Sequence, residues 1–308
     1  MPKVTLIANP ASGRGRGARL IPRARDAFLR QGMTDLRVTA RAGDEARLVF
    51  DALHDGADLI AVLGGDGTWG KCAAAVAASG SAASMAFLHG GTGNDFAKNL
   101  PAPARDFTAM ARLCAGAHDE WRVDMGRVES DGHDDFFLNV AGFGFDVAVL
   151  EETMRGGVLT GYAVYIAAAL RNLLGYPGLD VRIEELGEQV RRAMMLVFSN
   201  GLNFGGAFRI APDAKVDDGL LDLIEIGDIR GFARVPLFVR ALRGAHLAHA
   251  GVTAARGEAF HLKFAGPPDY ECDGEFRRAG SAAVRVSCAR GVLRVVAGAA
   301  PGAVPGSA

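Results

Sequence analysis

Cysteine is scarce in this 308-residue chain: Cys72, Cys114, Cys272 and Cys288 stand far apart, with no C-x-x-C pair. That pattern excludes a disulfide framework and a cysteine-held zinc site, and leaves reduced thiols in a cytoplasm as the expectation. A long apolar run is also missing. The longest, Ala163 to Leu170, falls far short of the roughly 20 residues that span a bilayer. The opening Met1-Pro2-Lys3-Val4-Thr5-Leu6-Ile7 lacks the apolar core and cleavage site of a signal peptide. These absences predict a soluble, cytoplasmic protein that meets a membrane only peripherally. Neither charge is in excess: 34 basic against 35 acidic residues give a net charge of −1, which argues against nucleic acid as a partner. Locally the balance fails. Residues 1–30 carry Lys3, Arg14, Arg16, Arg19, Arg23, Arg25 and Arg30 against Asp26 alone, an end suited to phosphate or an anionic membrane surface. No internal repeat is visible, and the 41 glycines cluster between apolar runs without a collagen period.

What is present reads as two ordinary domains, at 49% hydrophobic and 22% charged residues. Up to about residue 125, strand-like and helix-like signals alternate, the pattern of a parallel α/β sheet. Strands are predicted at Val4 to Ala8, Leu36 to Thr39, Leu59 to Leu63 and Met85 to Leu88. Helices are predicted at Arg16 to Gln31, Asp44 to Asp55 and Trp69 to Ala78. In the first helix Leu20, Ile21, Ala24 and Phe28 share one face, while Arg16, Arg19, Arg23 and Arg30 share the other. After Trp121-Arg122-Val123-Asp124, strand follows strand: Met125 to Glu129, Phe136 to Ala141, Leu179 to Glu184, Met194 to Ser199 and Leu221 to Ile226. Phe260 to Phe264, Ala283 to Cys288 and Val292 to Val296 complete the series. The fold class is therefore α/β. A three-layer parallel-sheet nucleotide domain spans residues 1–125, and a mainly antiparallel β domain spans 126–297. Helical insertions are placed at Thr160 to Leu174 and Ile229 to Ala248, and the Gly/Ala/Pro-rich residues 298–308 are expected to be a disordered tail.

Three of the early strands run into glycine-rich loops at one sheet edge, where open α/β sheets bind ligands. These are Asn9-Pro10-Ala11-Ser12-Gly13, Gly64-Gly65-Asp66-Gly67-Thr68 and His89-Gly90-Gly91-Thr92-Gly93-Asn94-Asp95. A glycine turn lets backbone amides approach a phosphate that a side chain would block, and the following helix adds its positive end. A carboxylate beside phosphates is repelled unless a divalent cation lies between them, so Asp66 implies magnesium. Taken alone, this loop reads equally well as a tight strand–helix turn capped by Asp or Thr. Residues 65–72 come close to a P-loop, but Cys72 stands where a magnesium-binding hydroxyl is required.

The third loop decides between these readings. Gly91-Thr92-Gly93-Asn94-Asp95-Phe96-Ala97 resembles the G-T-x-N-D-F-A signature of the diacylglycerol kinase catalytic domain, found in the diacylglycerol kinase/sphingosine kinase family of lipid kinases. Asn9-Pro10-Ala11-Ser12-Gly13 resembles the family's opening motif, and Asn139-Val140-Ala141-Gly142-Phe143-Gly144-Phe145-Asp146 the start of its second domain. Residues 211–221 resemble its A-P-x-A-x-x-D-D-G-x-L stretch, and Asp273-Gly274-Glu275 its closing D-G-E. The motifs stand in the family's order over residues 3–296. The resemblance implies an ATP- and magnesium-dependent kinase that phosphorylates a lipid hydroxyl (diacylglycerol, a sphingoid base or a relative) presented at a membrane, with reaction in the cleft between the domains. It implies an ATP site built from Asn9, Pro10, Ser12, Gly13, Thr39, Gly64, Gly65, Asp66, Gly67, Thr68, Gly91, Thr92 and Asn94. Asp66, Asp95 and Asp124 would hold the catalytic magnesium. Asp218, with carbonyls of Lys215 and Leu220, would form a second, structural metal loop. Asp273 or Glu275 would be the base, consistent with the need of phosphoryl transfer for a carboxylate near the attacking hydroxyl. If the segment is extended, only one of Asp273 and Glu275 is expected to face the phosphate; taken alone, the Asp-Gly pair reads more readily as a hairpin turn.

The chain departs from the family at Trp69, Gly70 and Lys71, where a hydrophobic residue, Asn and an acid are usual, and at His89, which replaces a turn-stiffening proline. These departures motivate one alternative, a catalytically weak nucleotide-binding sensor. The shared G-G-D-G loop motivates another, an NAD kinase-like small-molecule kinase. His246 and His249 read as a surface pair on one helix face, Tyr162 to Leu170 as core packing that could line a lipid groove, and a homodimer is compatible with the chain.

Overall fold

The computed structural model describes residues 2–116, 119–154, 173–203, 205–206, 208–229 and 231–298. In chain order the first elements are β1 (Val4–Ala8), α1 (Ser12–Leu29), β2 (Asp35–Val38), α2 (Asp44–His54), β3 (Leu59–Gly64), α3 (Asp66–Ser79), β4 (Ser84–His89) and α4 (Phe107–Ala115). Strands β2, β1, β3 and β4 pair side by side, all parallel. Both faces of the sheet are covered, so β1 and β3 read as unbroken apolar runs and are buried throughout. On one face Ala24, Ala27 and Phe28 of α1 and Met110, Ala111 and Cys114 of α4 pack on Leu6, Ala61 and Ala86. The regular part of α1 begins at Arg16, as predicted, because Gly13, Arg14 and Gly15 all take left-handed backbone angles.

The second half continues with β5 (Asp119–Ser130), β6 (His133–Phe137), β7 (Val140–Gly144), α5 (Phe145–Met154), β8 (Leu179–Ile183), β9 (Arg191–Ser199) and β10 (Leu221–Gly227). Then come α6 (Arg234–Ala241), β11 (Val252–Gly257), β12 (Ala259–Phe264), β13 (Asp269–Cys272), β14 (Glu275–Arg278) and β15 (Ala283–Ala297). Here the pairing is antiparallel, with β9 at the centre against β7, β8 and β10. Side chains of β9 alternate between two cores. Ala193, Leu196 and Phe198 join a cluster with Phe143, Phe260 and Tyr270, while Met194 and Val197 join Phe145, Ile210, Ile224 and Leu237. Aromatic rings lock the first core, Phe143 lying 5.6 Å from Tyr270 and 6.0 Å from Phe198.

The chain divides into two compact units, residues 124–290 and residues 1–123 together with those from 291 onward. The sequence division at 125/126 gave residues 291–297 to the second domain. They group with the first because Arg294 and Val295 of β15 pair in parallel with Ser84 and Met85 of β4. The two strands predicted within 283–296 are one, β15, with Gly291 left-handed inside it.

The single strand predicted at Phe136 to Ala141 is two, β6 and β7. The ladder breaks at Leu138 and Asn139, whose amides donate to the Asp273 carboxylate instead. The helix predicted over Ile229 to Ala248 is a 3-10 turn, α6 and a second 3-10 turn, interrupted by left-handed Gly244. His246 and His249 therefore share no helix face, and His246 is no surface residue. It is fully buried, with its Nε2 3.0 Å from the Ile210 carbonyl. Strands β11, β13 and β14 were not foreseen. Most of the Thr160 to Leu174 segment, including Tyr162 to Leu170, lies outside the described residues, as do residues 299–308 of the tail.

Gly126 of β5 faces Phe137 of β6, and a Cβ there would lie 1.8 Å from the ring. Gly126→Ala is expected to cost about 1–3 kcal/mol through overpacking, read as a lowered Tm and denaturation midpoint. An unchanged midpoint would show that the hairpin moves aside freely.

Candidate active site

The three glycine loops of the first unit meet through backbone as well as side chains. Gly90 and Gly91 both donate their amides to the Gly64 carbonyl, at 2.7 and 3.0 Å. A Cβ on Gly91 would stand 2.5 Å from the Cα of Gly65, and one on Gly13 2.5 Å from the Gly90 carbonyl oxygen. Side chains complete the junction: Asn9 Nδ2 donates to Thr68 Oγ1 at 2.9 Å, and Ser12 Oγ lies 3.5 Å from the same hydroxyl. Asn9 Oδ1 accepts the Ala11 amide, which folds the first loop into an Asx turn. At Gly67 a Cβ would meet nothing within 4 Å, so the first turn of α3 is approachable. Thr92 is exposed, whereas Thr39 is buried with its amide on the Ala8 carbonyl. Asn94, buried and left-handed, braces its own loop by donating to the Gly91 carbonyl at 2.9 Å.

Asp66 opens α3, and its Oδ1 accepts the Phe96 amide at 3.2 Å. Burial, reinforced by the charge of Asp95, pushes its carboxyl up to about 6, against the opposing pull of the Phe96, Asp95 and Asn94 amides. Asp95 in turn holds Lys98 at 2.5 Å. A buried carboxyl raised further by the charge of its neighbour, at a helix N-terminus floored by close-packed glycines, matches the donor chemistry of a hard divalent cation accompanying a phosphate. The residues present fit a magnesium–nucleotide site.

Asp124, the third acid grouped with them, belongs to the second unit. There its Oδ2 accepts the Gly219 amide at 2.6 Å and its own amide donates to the Val216 carbonyl. It thereby shapes the loop that carries Lys215, Asp218 and Leu220. Asp218 Oδ1 accepts the Leu220 amide at 3.1 Å, and its Oδ2 lies 4.0 Å from Arg256. That guanidinium is shared with Asp222, 3.0 Å away, and no cluster of three or more His, Cys, Asp or Glu side chains arranged for a metal occurs among the described residues.

The Asp273-Gly274-Glu275 motif is a two-residue hairpin turn joining β13 to β14. Cys272 pairs with Glu275, and Asp273 and Gly274 have φ of 49° and 83°. The extended geometry considered for it does not occur, because Asp-Gly fits the left-handed turn. Asp273 is held from three sides: Oδ2 accepts the Leu138 amide at 2.6 Å, and Oδ1 accepts those of Asn139 and Val140 at 2.8 and 3.1 Å. Behind the turn lies a pair of acids that sequence reasoning did not assign. Glu271 Oε2 accepts the Gly274 amide at 2.6 Å, and Asp146 Oδ1 accepts that of Val147. Their other oxygens converge on Gly142, where a Cβ would lie 1.5 Å from Asp146 Oδ2 and 3.2 Å from Glu271 Oε1. Neither of these two oxygens has another partner. Burial holds Asp146 at about 7, and burial with the Asp146 and Asp273 charges holds Glu271 well above the carboxylate range. The signal available in sequence was Glu271 within an otherwise buried strand, two residues before the turn.

The departures noted in sequence find places. Trp69 is fully buried, donates Nε1–H to the Val62 carbonyl at 3.2 Å, and packs on Phe87 and His89. His89 extends β4, and its amide donates to the Ala104 carbonyl at 2.9 Å, a tether that proline could not supply. Burial and the nearby Arg105 keep its ring neutral, down at about 4.

Two family models cover the chain: the diacylglycerol kinase catalytic domain matches residues 3–128, and the YegS C-terminal NAD kinase beta sandwich-like domain residues 139–297. A "Diacylglycerol kinase" of Mycobacterium tuberculosis (strain ATCC 25618 / H37Rv) is 29% identical over 278 residues, 89% of each chain. A "Probable lipid kinase YegS-like" of Pseudomonas putida is 35% identical over 191 residues, 61% of this chain and 62% of that one. In fold the chain is similar to a crystal structure of a diacylglycerol kinase from Bacillus anthracis str. Sterne, with a TM-score of 0.69, 21% identity and 98% of each chain covered.

Replacing Glu271 by Gln keeps an acceptor for Gly274 and gives Asp146 a donor. Because both acids are raised in the folded state, the parent loses stability as pH rises from about 4 through 7. Glu271→Gln is expected to gain about 1–2 kcal/mol at pH 8 and nothing near pH 4, seen as a flatter Tm–pH profile. Parallel profiles would show that the two carboxyls do not interact.

Proposed function

Because the chain belongs to the lipid kinase family that joins a diacylglycerol kinase catalytic domain to a YegS C-terminal domain, we propose that it transfers the γ-phosphoryl group of ATP, with magnesium, to a lipid hydroxyl. The observation that carries the nucleotide half is the facing of Asp66 and Asp95 over the interlocked loops around Gly65 and Gly91. Amides at the start of α3 receive phosphate, and the glycines there keep side chains from its path. Asp66 and Asp95 would hold the magnesium, which when bound neutralises phosphate charge. Lys98, beside Asp95, adds a cation to the same loop.

The second unit supplies the acceptor end. Its base belongs to the hairpin turn of Asp273 and Glu275, where the proton of the attacking hydroxyl must be taken. Asp273 is fixed by three amides, which orients it and also ties the 138–140 corner to the turn. The names of the relatives favour diacylglycerol as acceptor, and the wider family resemblance adds sphingoid bases and related lipids.

Purified protein, labelled ATP and magnesium with a panel of diacylglycerol, sphingoid base, ceramide and phosphatidylglycerol in mixed micelles test this reading, with NAD as a control acceptor. Transfer to one lipid is expected, reduced about a hundredfold or more in Asp66→Asn. Transfer to NAD alone would overturn the lipid assignment.

Two further variants separate the members of the turn. Whichever of Asp273→Asn and Glu275→Gln removes the base is expected to lose about 10²–10⁴-fold in kcat, and Glu275→Gln to leave Tm unchanged. Asp273→Asn is expected to lower Tm as well, because an amide nitrogen replaces one acceptor oxygen. A Tm equal to that of the parent would remove the anchoring role of Asp273.

A further inference from the structure

Helix α6 and the 3-10 turn before it (Gly231–Ala233) carry apolar side chains on two faces. The inner face is used: Leu237 and Ala241 are buried, and with Phe145, Met195 and Ile210 they enclose an apolar cavity of about 50 Å³. The outer face is bare. Phe232 is 82% exposed, the most exposed of the large apolar side chains among the described residues, and Val235 and Val239 are 39% and 49% exposed. Residues 232, 235 and 239 have the i, i+3, i+7 spacing of one helix face. Elsewhere exposed apolar residues such as Val38 and Phe50 stand singly, which is ordinary for a protein surface.

The segment that carries this face has charge of one sign. Between Asp228 and Glu258 the sequence contains no acidic residue, while Arg230, Arg234, Arg240, Arg243 and Arg256 fall within it. Arg240 and Arg243 are exposed at the end of α6. Arg234 does different work. Its Nη1 donates to the Leu173 carbonyl at 2.7 Å and its Nη2 to the Tyr176 carbonyl at 2.9 Å, pinning the helix by its inner side. The outer face is thus presented by a helix that is itself fixed. The arginine-rich face of α1 has the charge without the apolar stripe, and Leu29 is its one strongly exposed large apolar residue among those described.

We propose that the outer face of α6 docks on an anionic lipid bilayer: Phe232, Val235 and Val239 enter the interface while Arg240 and Arg243 meet headgroup phosphates. An exposed apolar stripe flanked by basic residues and free of acids is the composition of an interfacial helix. This assignment rests on the lipid kinase reading for its biological sense, but its geometry does not use the catalytic residues.

The test is co-sedimentation of the full chain with vesicles of equimolar phosphatidylcholine and phosphatidylglycerol, compared with phosphatidylcholine alone. A second assay measures transfer to a short-chain diacylglycerol dispersed below its micelle concentration. The parent chain is expected to bind the anionic vesicles and to release as salt rises. Phe232→Glu with Val239→Glu is expected to weaken binding about tenfold or more, and Arg240→Gln or Arg243→Gln about fivefold each. Transfer to dispersed lipid and Tm should stay at parent values in all of them. Equal vesicle binding by parent and Phe232→Glu/Val239→Glu, or no binding by the parent, would overturn the docking face. A concentration-dependent dimer abolished by the same variants, without vesicle binding, would overturn it in favour of a second copy of the chain. Absent transfer to dispersed lipid by the parent would sink the kinase reading alone, since the vesicle arm reads docking directly.

Discussion

Everything at the candidate site of the first unit depends on two backbones touching. Gly65 and Gly91 approach so closely that neither can carry a side chain, and the Gly64 carbonyl accepts two successive amides from the neighbouring loop. Such an approach removes the freedom that glycine otherwise brings to a loop, because each strand end is fixed by the other. Asn9 and Ser12, reaching Thr68 from the first loop, extend the same restraint to a third strand. The result is a phosphate-sized floor made by packing and not by ligand, so binding energy need not be spent on ordering it.

Both units also hold carboxyls in states that folding alone would not select. Asp66 is raised by its own burial and by Asp95; Asp146 is raised by burial, and Glu271 by burial and by the charges of Asp146 and Asp273. In the first unit the strain sits where a cation would relieve it, as expected of a binding site that is less stable empty than filled. In the second it sits behind the Asp273 turn, which Glu271 supports through the Gly274 amide. The two acids and the three amides on Asp273 make that turn one of the most heavily determined corners of the β unit, a setting in which a left-handed aspartate can persist.

The parallel sheet was legible because strands covered on both faces write themselves as apolar runs, and β1 and β3 do so without interruption. The glycine loops were legible because steric need leaves one residue type available. Less visible were features set by contacts distant in sequence. The break between β6 and β7 is made by a carboxylate 135 positions away, and no local preference at Leu138 announces it. Glu271 reads as an ordinary charged residue until Asp146 is placed against it. His246 looked exposed because helical periodicity was carried across Gly244, where the backbone turns left-handed. Among the candidate residues, Asp66 and Asp95 stand together in the first unit, and Asp124 shapes a loop of the second.

The last strand carries a consequence for how the molecule is made. Its end, at Arg294 and Val295, lies beside β4 and finishes the parallel sheet that the first residues begin. A ribosome releases that strand only after the whole of the second unit, so the first unit cannot be finished while the second is being synthesised. Until then β4 presents an unpaired edge of buried character, and folding of the N-terminal unit cannot run independently ahead of the rest. The unit begun first is the unit closed last.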